Sequence, residues 1–421
     1  MECYISELPY DIIQKFFSNL PFKYLLQCRL VCKSWRDIID AANGQFSREC
    51  SSTLLLFVET KTISVCEHIQ ECLKINMKSP LATVEKTRVS CIEILGKSSY
   101  THCEARFNSG LNCRLKFVNS CNGLICLEEL VPIYLPHHSN KVIRSYEEIL
   151  RIVNPMTADY IILPQLRKKL DWNLYECVLG FCHKGNQYKA MRISYRVGKN
   201  RDRSTDDNWR AHVYTLGFST GTWRRIENVP SFEQNSSRPF SNAFANGCFH
   251  WFFLREIMTF DFESEKFKSI PLPHHDYDED TWINIGVLKD SIFISKHVDQ
   301  GYGHEAIEIW LMKEYGAVES WVRVHVLVKT TCLRGCFEYL RIIKFFENGD
   351  LLLYNGMDWL LYHHEMKKYT RLHIPPGMEA CFSESIRVEV IDHDPSFASL
   401  GDMMVGNNLK VSNARLRRST L

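Results

Sequence analysis

The sequence lacks any hydrophobic run long enough to cross a bilayer. No stretch of about 18 apolar residues, the length that a membrane helix needs, occurs anywhere in the chain. The N-terminus also lacks a basic segment followed by an apolar one, so nothing in it resembles a secretory signal. The sequence therefore predicts a soluble intracellular protein that is cytoplasmic, nuclear or both.

An excess of charge of one sign is missing as well. The 51 lysines and arginines almost balance the 49 aspartates and glutamates, which leaves a formal net charge of +2. A broad basic surface for nucleic acid or anionic lipid is therefore not predicted, and we expect neither of these partners. The 421 residues and the 45% hydrophobic content instead indicate a globular chain with one small and one large domain.

The motifs of common enzyme and metal sites are absent too. We find no nucleophile elbow, no phosphate-binding loop and no zinc-protease helix motif, and His304-Glu305 lacks the second histidine that such a helix requires. No Cys-x-x-Cys occurs among the 17 cysteines, whose odd number and lack of a secretory context argue against disulfides. We expect these cysteines to be small buried hydrophobes. The sequence predicts no catalytic residue, no metal site and no cofactor.

A short apolar unit at helical spacing begins the chain. Pro9 and Pro21 each fit the opening turn of a helix, so one helix is predicted after each of them. The apolar residues of the unit are Ile12, Ile13, Phe16, Phe17, Leu20, Leu25, Leu26, Cys28, Val31, Cys32, Trp35, Ile38 and Ile39. A unit of roughly 40 residues cannot cover so many large side chains alone. It is therefore either a docking surface for another protein or a cap packed on the main domain.

The order and spacing of these residues resemble an F-box over residues 6–40. The matching residues are Leu8-Pro9 with Asp11, Leu20-Pro21, Leu25-Leu26, Arg29 and the run Val31-Cys32-Lys33-Ser34-Trp35-Arg36. The resemblance implies a three-helix domain at residues 1–45 that binds a Skp-family adaptor and, through it, the cullin and RING subunits of a ubiquitin ligase. The adaptor-facing positions that it implies are Leu8, Pro9, Ile12, Ile13, Phe16, Leu20, Pro21, Leu25, Leu26, Val31 and Trp35.

After a linker at residues 46–52, the pattern changes to short β-rich runs separated by turn residues. Five uneven copies of a strand and turn repeat begin near residues 118, 178, 245, 283 and 342. With the strands before residue 118, they predict an all-β domain at residues 53–400 that is a β-propeller of about six blades. Residues 386–391 can close it against an N-terminal strand, and insertions at 129–148 and 196–210 stretch the repeat. A large antiparallel sandwich is the alternative fold.

This β region resembles the F-box-associated domain of plant F-box proteins, including those related to the S-locus group. The matching pieces are residues 120–126, Asn154-Pro155 with Leu163-Pro164, Val213-Tyr214 with Trp223, residues 246–251 and residues 260–262. The resemblance implies an α+β multidomain chain whose large all-β domain, with its kelch-like propeller, holds a protein substrate. It leaves the identity of that substrate unknown.

We therefore predict a non-catalytic substrate receptor of a Skp–cullin–F-box ubiquitin ligase, which marks its target for degradation. The alternative is a carbohydrate-binding or enzymatic propeller with a helical cap, in which Trp172, Trp209 or Trp282 stacks on a sugar. Residues 401–421 are locally basic and are predicted to form a flexible tail.

Overall fold

The computed structural model describes most of the chain, and it resolves into two compact units. The described residues are 9–18, 20, 22–41, 53–64, 83–94, 100–111, 114–134, 143–157, 159–166, 172–196, 209–217, 221–230, 243–253, 256–273, 283–288, 291–299, 305–329, 340–346, 348–355, 358–372, 386–392, 396, 399–403, 409–413 and 416–417. The first unit comprises Met1–Gln165 with Ser383–Leu421, and the second comprises Leu166–Phe382.

Three helices lie in the N-terminal part of the first unit. They are α1 (Tyr10–Ser18), α2 (Phe22–Cys28) and α3 (Lys33–Ala41). The carbonyl of Pro9 accepts hydrogen bonds from the N–H groups of Ile12 and Ile13 at 3.0 and 3.2 Å, so the proline stands at the opening turn of α1. The second helix begins directly after Pro21. Both helix starts that the prolines predict are confirmed.

Strands make up most of the remainder. The strands before residue 166 are β1 (Thr53–Ser64), β2 (Thr83–Ile94), β3 (Tyr100–Leu111), β4 (Arg114–Cys121), β5 (Leu124–Tyr134), β6 (Ile143–Val153) and β7 (Asp159–Ile162). Those of the second unit are β8 (Trp172–Cys182), β9 (Gln187–Arg196), β10 (Trp209–Thr215), β11 (Arg224–Ile226), β12 (Ala243–Ala245), β13 (Cys248–Phe253), β14 (Glu256–Asp261), β15 (Lys266–Pro271), β16 (Ile283–Leu288), β17 (Ser291–Asp299), β18 (Glu305–Met312), β19 (Trp321–Val328), β20 (Arg341–Phe345), β21 (Leu351–Tyr354), β22 (Trp359–His363) and β23 (Lys368–Leu372). The C-terminal elements are β24 (Ile386–Asp392), α4 (Leu400–Met403), β25 (Ser412–Asn413) and β26 (Leu416–Arg417).

The described strands of the first unit form two antiparallel sheets. Sheet A has the strand order β24-β1-β2-β3-β26, and sheet B has the order β25-β7-β6-β5-β4. In sheet A, β24 pairs with β1 from Leu55 opposite Asp392 to Lys61 opposite Ile386. This pairing confirms the prediction that residues 386–391 lie against an N-terminal strand.

The predicted insertion at 129–148 lengthens a hairpin of sheet B. Its described residues continue β5 and β6, which stay paired from Glu129 opposite Ile149 to Tyr134 opposite Ile143. The second predicted insertion falls between β9 and β10, where residues 197–208 lie outside the described part of the chain.

The C-terminal residues differ from the flexible tail that their composition predicts. Residues 412–413 pair with β7, and residues 416–417 pair with β3. The amide of Asn154 also donates a hydrogen bond of 2.9 Å to the carbonyl of Ser396, which lies just upstream. Backbone groups can pair with a sheet edge whatever side chains they carry, so polar composition alone did not reveal these strands.

Asn-Gly pairs shape two of the tight hairpins. Asn122 and Gly123 have φ values of 44° and 82°, and Asn246 and Gly247 have φ values of 52° and 70°. Two successive residues with positive φ form the turn whose twist matches that of the flanking strands. These turns join β4 to β5 and β12 to β13, and they lie in the pieces 120–126 and 246–251 that resemble the F-box-associated domain.

Within its described residues, the second unit consists of four sheets of four antiparallel strands. Sheet C is β8–β11, sheet D is β12–β15, sheet E is β16–β19 and sheet F is β20–β23, each with its strands paired in chain order. The predicted repeats near residues 178, 245, 283 and 342 therefore correspond to one sheet each.

Each sheet of the second unit packs face to face on the next. Aromatic residues such as Phe249 and Trp251 of sheet D pack against Val178 and Met191 of sheet C. A second apolar cluster joins sheets D and E, and a third joins sheets E and F. Successive small sheets that bury their faces against their neighbours are the packing of propeller blades, not of a sandwich of two large sheets.

Candidate functional site

The N-terminal helices have a small core of their own. Phe17 and Ile39 are fully buried, and Ile13, Leu25, Trp35 and Ile38 are at most 9% exposed. These residues come from all three helices, so each helix contributes to one common apolar centre. Burial of side chains of this size supplies the main driving force for holding the helices together.

A second set of apolar side chains on the same helices is exposed. Ile12, Phe16 and Val31 are 52%, 48% and 58% exposed, and Tyr10, Tyr24 and Leu30 have similar values. Pro9 is exposed as well. Together these residues form what we call the apolar face: Pro9, Tyr10, Ile12, Phe16, Tyr24, Leu30 and Val31. An apolar cluster of this kind on a small unit is typical of a protein interaction site.

The predicted adaptor-facing residues therefore divide between these two sets. Pro9, Ile12, Phe16 and Val31 belong to the apolar face, and Leu20 is half-buried. Ile13, Leu25 and Trp35 lie in the core of the helices. Leu8, Pro21 and the side chain of Leu26 lie outside the described residues.

Three residues of the apolar face were not among the predicted positions. Tyr10 and Tyr24 lie in the first turns of α1 and α2, and Leu30 lies in the turn between α2 and α3. Each is an exposed large apolar residue within three positions of a predicted one. Their position next to predicted residues in the sequence is the signal that could have identified them. The resemblance to the F-box did not include these three positions.

Two charged residues of α3, Lys33 and Arg36, are exposed. Arg36 donates from Nε to the carbonyl of Arg29 at 3.4 Å, which connects α3 to the end of the preceding turn. Burial raises the pKa of the Cys28 thiol, so this cysteine remains protonated beside the face.

One polar cluster of the β sheets involves a buried histidine. His250 of β13 donates from Nδ1 to the carbonyl of Ala243 at 3.0 Å, because a carbonyl can only accept. Its Nε2 therefore accepts the hydroxyl hydrogen of Tyr315 at 2.7 Å. Burial lowers the pKa of His250 to about 4 and raises the pKa of Tyr315, to which Cys248 is also hydrogen-bonded. His250 and Cys248 are buried and Tyr315 is 42% exposed, so the cluster joins sheets D and E with only its tyrosine at the surface.

A second polar cluster joins sheets C and D. The Glu265 carboxylate accepts two hydrogen bonds from Arg224, at 2.6 and 2.8 Å, and one from Lys189 at 2.9 Å. Desolvation alone would raise the pKa of Glu265, but the hydrogen bonds from Arg224 and Lys189 bring that pKa below its ordinary value. Every oxygen of this carboxylate is thus engaged in holding a turn of sheet D on sheet C.

The tryptophans of the alternative sugar-binding hypothesis do not form a described site. Trp209 is 7% exposed and packs on Tyr195, with ring centroids 5.7 Å apart. The side chain of Trp172 and all of Trp282 lie outside the described residues. Among the residues with described side chains, no cluster of three or more histidine, cysteine, aspartate or glutamate residues could hold a metal ion. No helix in the described part of the chain is long and apolar enough to span a membrane.

Comparison with known families assigns the helical part and the β part of the chain to one domain family each. The profile of the F-box associated beta propeller domain matches residues 70–389, which is more than half of the chain. The chain belongs to the F-box-associated β-propeller family. The F-box domain profile matches residues 5–43, which include all three N-terminal helices. The chain thus combines an F-box at its N-terminus with a β-propeller domain.

Relatives in Arabidopsis thaliana align with this chain over most of their length. The chain is 24% identical to F-box protein At3g07870 over 409 residues, which cover 87% of this chain and 88% of the relative. It is 22% identical to F-box protein CPR1 over 391 residues, covering 88% and 85% of the two chains. Among solved structures, AztD from Citrobacter koseri aligns with 81% of this chain and 99% of its own, at 11% identity and a TM-score of 0.30.

Proposed function

We propose that this protein is the substrate-recognition subunit of a Skp–cullin–F-box ubiquitin ligase. In this role the F-box helices bind a Skp-family adaptor, which connects the chain to the cullin and RING subunits. The β-propeller domain holds a target protein, whose ubiquitination leads to its degradation. We also propose that each of the six sheets is one blade and that the protein acts in the cytoplasm, the nucleus or both.

The observation that carries the proposal is the division of apolar residues within the F-box. One set forms the core of the helices, so these residues are already buried without a partner. The apolar face keeps Ile12, Phe16 and Val31 about half exposed or more, and these are side chains whose burial by a partner would favour association. The core thus fixes the shape of the helices, and the face supplies the contacts.

The mechanism requires no acid, base or nucleophile from this chain. A ligase receptor holds an acceptor lysine of its target near a charged ubiquitin carrier, which raises the effective concentration of one reactant at the other. The catalytic groups then belong to other subunits. The well-packed sheets of the second unit suit this role, because a rigid scaffold keeps the target in a defined place.

The experiment that tests adaptor binding compares two valine substitutions in the full-length chain. We expect Val31→Lys to weaken binding to a purified Skp-family adaptor by about tenfold or more, because a lysine at a buried contact must lose its hydration. Val326→Lys is the matched control, since Val326 is an exposed valine of β19 far along the sequence. It should leave adaptor binding unchanged in a titration by calorimetry.

Two results would argue against the proposal. One is unchanged adaptor affinity in Val31→Lys and also in Ile12→Lys, while circular dichroism shows that both variants keep the native helix content. The other is equal loss of affinity in Val326→Lys. Affinity purification from plant tissue under proteasome inhibition would then separate partners, because targets should be retained by Val31→Lys whereas ligase subunits should be lost.

A further inference from the structure

The last strand of sheet E differs from the last strands of the other three sheets in the second unit. β19 has 8 residues, whereas β11 has 3 and β23 has 5. β15 contains two lysines and ends in a proline, and β23 contains a lysine and an arginine. Short length, lysine and proline are features by which edge strands avoid pairing with other chains. The second half of β19, Val324–Val328, has no acidic residue, lysine, arginine or proline.

The backbone of this half-strand has hydrogen-bonding groups on its open side. The N–H of Lys329 donates to the carbonyl of Glu305 at 3.0 Å, so the backbone groups of Lys329 point toward β18. Alternate residues of a strand direct these groups to the same side, so those of Leu327 and His325 also point toward β18. The backbone groups of Val326 and Val328 therefore point away from it. The carbonyl of Val328 accepts a hydrogen bond from the Tyr369 hydroxyl at 3.1 Å, so the groups that an added strand could use are the N–H groups of the two valines and the carbonyl of Val326. Among the described strands, none pairs with β19 on that side.

The side chains of the same two residues are exposed. Val326 and Val328 are 37% and 51% exposed, whereas Leu327 between them is fully buried in the cluster that joins sheets E and F. Valine fits a pleated surface well and packs against aliphatic neighbours on an adjacent strand. The open edge therefore combines available backbone groups with an aliphatic surface beside them.

The charges next to this edge are neutralised within sheet E. Glu308, which lies opposite Val326, accepts a hydrogen bond of 2.6 Å from Arg323. Glu305 accepts a hydrogen bond of 2.6 Å from Lys329 at the end of the strand. With each carboxylate paired to a cation, the edge favours neither an acidic nor a basic partner, and it matches an uncharged one.

We propose that the edge of β19 at Val326 and Val328 binds an uncharged, aliphatic, extended segment of another protein as an added strand. Only an extended backbone presents N–H and C=O groups at the spacing that an open strand edge offers. Aliphatic side chains on that segment pack on the two valines. The inference rests on the proposed function in one respect, namely that the segment belongs to the target that the receptor holds.

The test uses the full-length chain and a short fluorescein-labelled peptide of alternating valine and threonine. We expect the peptide to bind in a fluorescence anisotropy titration, and we expect Val326→Lys to weaken that binding by about tenfold or more. Val326→Thr keeps the shape and the N–H group, so it should bind nearly as well as the unmodified chain. Hydrogen exchange should slow at the amides of Val326 and Val328 when the peptide is added.

A second peptide, N-methylated at every residue, separates strand pairing from simple apolar adhesion. It should not bind, because full N-methylation removes the donors from both edges of the extended peptide. Equal binding of both peptides, or unchanged binding by Val326→Lys, would overturn the proposal. So would a concentration-dependent dimer of the peptide-free chain that Val326→Lys abolishes, because the occupant would then be a second copy.

Different results would contradict the proposed adaptor binding and the proposed strand binding. Val31→Lys should keep peptide binding while it loses the adaptor, and Val326→Lys should keep the adaptor while it loses the peptide. Loss of strand binding alone contradicts only the inference about β19, and unchanged adaptor binding in Val31→Lys contradicts only the ligase assignment.

Discussion

The ring of Phe17 packs against the edge of the Trp35 indole, with centroids 5.2 Å apart and planes at 73°. Phe17 belongs to α1 and Trp35 to α3, so this contact joins the first and last helices of the F-box. Edge-to-face aromatic pairs add roughly 0.5 to 1.5 kcal/mol to the gain from burial. Both rings are buried, and neighbouring Phe16 is 48% exposed.

We expect Trp35→Ala to destabilise the F-box by about 3 to 5 kcal/mol, because it leaves a cavity against Phe17. A domain of this size has little stability to lose, so its helices should unfold while the β-propeller domain stays folded. Hydrogen exchange with mass spectrometry should show rapid exchange in residues 10–41 and unchanged protection in β13 and β17. Protection of α1 and α3 equal to that of the unmodified chain would contradict this prediction.

We expect Leu30→Ser to weaken adaptor binding without loss of stability. Leu30 is 52% exposed in the turn between α2 and α3, so serine costs the folded domain little there. If the apolar face is the interface, the loss of this side chain should reduce adaptor affinity severalfold in a calorimetric titration. Lys33→Ser, at an exposed position on the rim, is the matched control and should change affinity only slightly. Equal affinities of the two variants would exclude Leu30 from the interface.

The sequence allowed accurate prediction where one residue type controls the backbone. Pro9 and Pro21 restrict the backbone at the start of a helix, and both helices begin at the next residue. Asn246 and Gly247 tolerate positive φ, and the hairpin turns at that point. These effects are local, so no knowledge of the packed molecule was needed to predict them.

The division of the F-box residues into core and face could not be predicted in the same way. Ile12 and Ile13 are identical neighbours, yet one is 52% exposed and the other 4%. Apolar residues occur on more than one side of α1, so its periodicity does not determine which side meets α2 and α3. That choice depends on the packing of all three helices, and whether the exposed set meets an adaptor remains a prediction.

We expect Gly180→Ala to destabilise the second unit. A Cβ atom added at Gly180 would clash with the ring of Phe262, a fully buried residue of the cluster that joins sheets C and D. The ring cannot move without disturbing its neighbours, so a cost of about 1 to 3 kcal/mol is expected. Gly185→Ala is the control, because its added Cβ meets side-chain atoms at ordinary or nearly ordinary contact distance, those of the flexible Gln187 at 3.4 Å and Cys182 Sγ at 3.6 Å. Thermal unfolding should show a lower midpoint for the first variant alone, and equal midpoints would contradict the close packing of Phe262.

The buried histidine of sheet D makes stability depend on pH. Burial lowers the pKa of His250 to about 4, whereas a histidine in the unfolded chain titrates near pH 6.5. Above pH 6.5 the side chain is neutral in both states, so its contribution to stability is complete. As the pH falls from 6.5 toward 4, only the unfolded state takes up the proton, and folding becomes less favourable. The expected loss from pH 7 to pH 5 is about 2 kcal/mol for this group.

His212 titrates in the same direction, because burial, together with the nearby Arg192, Arg225 and Arg210, lowers its pKa to about 4. His250→Asn should therefore reduce, and not abolish, the change in unfolding free energy between pH 7 and pH 5. Urea unfolding at the two pH values measures this change. If His250→Asn has the same pH dependence as the unmodified chain, His250 is not the neutral buried acceptor of the Tyr315 hydroxyl.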